Sequence, residues 1–131
     1  MNPKKMIDMN NLNWWLVLAG IGLNLILATA IALLSNTLAL RGDDQATAVI
    51  SQTTFMLGTF LATFFTGFIT GRMSNDDNGV TYGLVCSVSV LVVVVIAGGL
   101  SVYTLMMVLI ALAGGFNGGM MSMRRGRPRS R

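Results

Sequence analysis

The chain has 131 residues, 53% of them hydrophobic and only 11% charged, with a net charge of +4 and a mean hydropathy of +0.69. That balance excludes an ordinary soluble domain and places the chain in the membrane class. There is no His and no Glu, and the five acids, Asp8, Asp43, Asp44, Asp76 and Asp77, all fall outside the long apolar runs. Proton-relay carriers and haem or di-metal sites need carboxylate or imidazole groups inside the bundle, so no cofactor or metal is expected from this chain alone.

Four runs free of Asp, Glu, Lys, Arg and His cover residues 13–34, 48–70, 80–98 and 101–121. About 20 residues at a rise of 1.5 Å match a hydrocarbon core of about 30 Å, so each run predicts a transmembrane helix. The expected fold is an all-α membrane protein, a four-transmembrane-helix antiparallel bundle. It divides into an N-terminal segment 1–12, a membrane domain 13–121 and a basic tail 122–131.

The first span follows Lys4 and Lys5, and its Ala28-Thr29-Ala30 resembles a signal-peptidase site. The apolar run continues to Leu34, and removing it would leave an odd number of spans, so it reads as a retained helix. Trp14 and Trp15 suit an interfacial anchor at its start. Gly20, Asn24, Ala28 and Ala32 recur at a spacing of four, a small-residue stripe on one helix face.

Arg41-Gly42-Asp43 in the first connection matches an adhesion tripeptide and is read as coincidence in so short a loop. Span two repeats the small-residue pattern at Thr59, Thr63, Gly67 and Gly71, with Gln52, Thr53 and Thr54 adding polarity near its start. Span three opens with Gly79, Gly83 and Ser87 and carries the lone Cys86, read as a small packing residue. Its run from Val88 to Ile96 has no polar side, which predicts contact with lipid or another apolar helix all round.

Gly98-Gly99 makes a tight hinge into span four, where Ala111, Gly115 and Gly119 form the stripe and Gly114 and Gly118 flank it. Inside lipid, helices associate through close approach of small residues and interhelical hydrogen bonds, so these stripes are the expected contact surfaces. The glycine-rich stretch 114–119 could instead weaken the helix and expose carbonyls to a ligand. Asn24 and Asn117 are both expected to face protein, because an amide in hydrocarbon needs a partner. Gly67-Phe68 to Gly71 and Gly115-Phe116 to Gly119 are alike enough to raise a parallel repeat of two hairpins.

Placing both ends in the cytoplasm puts eight basic residues inside and Arg41 alone outside, so the positive-inside rule predicts a multi-pass protein of the cell inner (plasma) membrane with cytoplasmic termini. Arg124, Arg125, Arg127, Arg129 and Arg131 follow the last span directly. Their expected contacts are anionic lipid headgroups or an acidic partner; nucleic acid is not expected without aromatic platforms or a folded reader.

Thr66-Gly-Phe-Ile-Thr-Gly-Arg72, a polar loop, and Gly79-Val-Thr-Tyr-Gly-Leu-Val85 resemble a group of small, uncharacterised four-span bacterial membrane proteins. That resemblance implies a fold and no activity. Small multidrug carriers depend on an embedded Glu that this chain lacks. Small fluoride channels have an arginine motif in span one and a Phe/Thr-rich span three, whereas here the Phe/Thr run lies in span two and span one has no arginine.

With no base placed to activate a nucleophile, an enzyme is not expected. The leading expectation is a non-catalytic accessory subunit packing against other membrane subunits or itself. The alternative is a small homo-oligomeric channel or transporter whose polar path would run past Asn24, Gln52, Thr59, Thr63 and Asn117.

Overall fold

A computed structural model describes residues 12–42, 44–74 and 78–125. Four helices account for nearly all of them: α1 (Trp14–Ala39), α2 (Gln45–Met73), α3 (Gly79–Gly98) and α4 (Val102–Arg125). All four are long and apolar enough to cross a membrane. Each overruns its expected span by one to several residues, because the flanking polar residues continue the helix past the hydrocarbon-matched stretch.

Local chemistry fixes the ends. The Asn13 side chain accepts from the Trp15 amide at 3.2 Å and so caps α1. Gly99 closes α3 with φ 64° and ψ −167°, a conformation essentially restricted to glycine, which bears out the expected hinge. Ser101 accepts from the Thr104 amide at 3.2 Å, and Thr104 Oγ1 donates to the Gly99 carbonyl at 2.7 Å. The turn into α4 is thereby tied to the helix it starts.

Contact registers define the arrangement. Along α1 and α2, Gly20 meets Thr70, Ile31 meets Gly58 and Ser35 meets Ser51, so residue numbers run in opposite senses. Gly83 against Gly115 and Gly79 against Gly119 show the same for α3 and α4. Numbers ascend together along α2 and α4, where Thr63 lies by Gly114 and Gly71 by Ser122.

Helices α2 and α3 each touch all three others, while α1 and α4 do not meet among the described residues. The valine-rich helix therefore touches three neighbours, where contact with lipid or another apolar helix all round was expected. Its small first half explains the difference: Gly79, Gly83, Cys86 and Ser87 are buried, letting neighbours approach closely. Further along, Val90 and Val94 point inward onto Met107 and Ala111, while Val88, Val92, Val95 and Ile96 remain exposed.

Candidate functional site

Three glycine-bearing helices converge towards the end of the bundle where α1 begins and α4 finishes. A Cβ at Gly67 would lie 2.7 Å from the Gly115 carbonyl oxygen and 3.1 Å from the Gly83 Cα. Gly83 and Gly115 abut each other's carbonyls, and a Cβ at Gly119 would stand 2.8 Å from the Val80 Cα. Gly114 and Gly118 face the backbone of Phe60 and Phe64 on α2. Neighbouring glycine ridges on α4 thus serve two different partners, and only residues lacking a side chain allow backbones this close.

The candidate packing residues Gly67, Gly71, Gly79, Gly83, Gly115 and Gly119 all lie in this seam, and all are buried. The two look-alike motifs, starting at Gly67 and Gly115, pack on one another. The stretch 114–119 stays within unbroken helix, so its glycines do not open the backbone as the ligand reading required.

Gly20, Asn24 and Ala28 occupy a second contact, between α1 and the α2–α3 pair. Gly20 sits beneath Cys86 Sγ and the Thr70 methyl, which a Cβ would approach to 2.5 and 2.6 Å. Asn24 is fully buried; its Nδ2 donates to the Cys86 carbonyl at 2.8 Å and to Ser89 Oγ at 3.3 Å. The Asn24 Oδ1 and the Thr66 hydroxyl are the buried side-chain polar atoms that lack a partner among the described residues.

The two asparagines have opposite fates. Asn117 is exposed, and its Nδ2 donates only to the Ala113 carbonyl one turn back, at 2.9 Å. The expectation that it faces protein fails within this chain, because the adjacent glycine ridges turn the opposite side of α4 inward. The residues expected to line a polar path are not gathered either. Gln52 is exposed, whereas Thr59 and Thr63 are buried but donate to carbonyls of their own helix at 2.8 and 2.9 Å. A threonine hydroxyl bonded to its own helix is already satisfied and offers little to a passing solute.

Two contacts escaped the sequence reading. Ser35 and Ser51 bond reciprocally across α1 and α2, each hydroxyl donating to the other's carbonyl at 2.9 and 2.8 Å. Tyr82 is fully buried, and its hydroxyl accepts from the Asn13 amide at 2.7 Å, pinning the start of α1 to α3. A serine or tyrosine within or next to a span is the sequence signal for either, and it does not name the partner.

A cleft of about 220 Å³ opens beyond Asn24, towards the end with the α1–α2 and α3–α4 links. Ala28, Ala32, Phe55, Thr59, Val90 and Tyr103 are among its walls, which are nearly all apolar. Such a lining suits hydrocarbon better than a charged solute.

Trp14 and Trp15 are exposed at the start of α1, as an anchor requires. Arg124 and Arg125 end α4; Arg127, Arg129 and Arg131, like most of segment 1–12, lie outside the described residues. Among the described residues no three His, Cys, Asp or Glu side chains come together. Comparison with protein-family models, curated proteins and solved structures finds no match to this chain.

Proposed function

We propose that this protein is a non-catalytic accessory subunit of a larger membrane assembly, embedded in the plasma membrane as an antiparallel four-span bundle with both termini cytoplasmic. The observation that carries this reading is the division of its surfaces. Most of the described glycines and many small polar groups are buried between its own helices, where they hold backbones together. The outer faces keep large apolar side chains such as Leu33, Leu57, Ile96 and Leu109, together with the exposed amide of Asn117.

Nothing in that division builds a reaction centre, and much of it suits lateral packing in a bilayer. The basic residues from Arg124 to Arg131 hold the cytoplasmic end at anionic headgroups, each contributing about 1 kcal/mol. Gentle extraction followed by mass spectrometry of co-purifying chains tests the proposal. Stoichiometric recovery of another membrane protein supports it, and recovery of this chain alone overturns it.

A further inference from the structure

We infer that the outward face of α4 joins two copies of this chain through a reciprocal hydrogen-bonded pair of Asn117 amides. The inference rests on the reading of the protein as a packing subunit and names one partner, a second copy.

Asn117 lies six residues before the end of the apolar span Val102–Met123, about 9 Å inside it. Its short side chain cannot reach the headgroups from there. One amide N–H is bonded to the Ala113 carbonyl; the second N–H and Oδ1 bond nothing among the described residues and would face hydrocarbon, which leaves them a costly pair of unmade bonds. Gln52, an exposed amide of α2 at a comparable distance from its helix end, differs in reach: its side chain is one methylene longer and extends further towards the polar layer.

The chemistry of the orphan group selects its partner. An amide carries donor and acceptor together, so it is complementary to itself. Two copies inserted the same way hold Asn117 at the same depth, and a two-fold axis along the membrane normal brings the free N–H of each to the Oδ1 of the other. The surrounding face permits the approach: Ala113, one turn away, has little bulk, and Met106, Leu109 and Phe116 are exposed beside it. The glycine face of α4 is already committed to α2 and α3, so this side remains available without repacking the bundle.

The test introduces Ala113→Cys in a Cys86→Ser background, oxidises the protein in liposomes, and uses Ile26→Cys on exposed α1 as control. The expected result is a disulfide-linked dimer at Ala113→Cys and none at Ile26→Cys. Without crosslinking, Asn117→Leu should weaken the dimer about tenfold, Asn117→Gln should retain it, and the helix content and melting of both variants should match the parent. No dimer at Ala113→Cys, or a dimer affinity unchanged by Asn117→Leu, overturns the inference. A dimer recovered from membranes with no other chain would sustain this contact while refuting the larger assembly; foreign subunits beside an uncrosslinked chain would do the reverse.

Discussion

Gly83 and Gly115 meet so closely that a Cβ on either would strike the other's carbonyl group. With Gly67 against both, this is where α2, α3 and α4 are locked together. Each glycine costs up to about 1 kcal/mol of helix propensity relative to alanine, an outlay that close approach must exceed.

Substitution at this point should be damaging out of proportion to its size. Gly83→Ala and Gly115→Ala are each expected to lower the unfolding free energy by about 1–3 kcal/mol, since backbone rather than a flexible side chain must move. Gly22→Ala is the control: beyond the backbone of its own helix, no described atom stands within 4 Å of its Cβ position. It should be neutral or stabilising by up to about 1 kcal/mol. Denaturant titration in mixed micelles, followed by circular dichroism, reads all three.

Asn24 gives a second prediction. Asn24→Leu removes two donated bonds but also the unpartnered Oδ1, so a net loss of about 1 kcal/mol is expected. Asn24→Asp should cost more, because an uncompensated carboxylate would replace a buried amide. Equal stability of the two variants in the same titration would refute the buried placement.

Ser35 and Ser51 invite a double-mutant cycle. Each alanine variant removes one hydroxyl-to-carbonyl bond and leaves the other, so each should cost about 0.6 kcal/mol, the average for interhelical hydrogen bonds in a membrane, while the shared contact between the two hydroxyls at 2.9 Å adds a smaller coupling. Two neutral variants would mean that the α1–α2 contact at this end is not formed.

Cys86 is fully buried under Gly20. It should resist a membrane-permeant maleimide in the folded protein and react after denaturation in SDS. Gly20→Ala forces the Cys86 and Thr70 side chains to shift and should raise the folded-state labelling rate. Rapid labelling of the parent protein would contradict the packing of α1 on α3.

Hydropathy alone revealed the four helices, since twenty apolar residues in a row have few other uses. The contact faces were also legible, because small residues at a spacing of four have no reason to recur on a lipid-facing surface. The central position of α3 was not. In a bilayer both the protein interior and its surroundings are apolar, so Val90, which is buried, and Val92, which is exposed, carry the same signal. Asn117 was misread because its type was weighed without its neighbours. At 100° per residue it falls about 130° from the centre of the face formed by Gly114, Gly115, Gly118 and Gly119, a geometry available from sequence once those glycines are taken as the inward side.

The most direct test of the account is the sidedness of the connections. In a Cys86→Ser background, single cysteines at Gly42, Ser74 and Leu100 are exposed in turn to a membrane-impermeant thiol reagent applied to intact cells. A bundle of four crossings with cytoplasmic ends predicts labelling of Gly42→Cys and Leu100→Cys from outside, and of Ser74→Cys only after the cells are opened. Labelling of Ser74→Cys in intact cells, or protection of either of the other two, would contradict it.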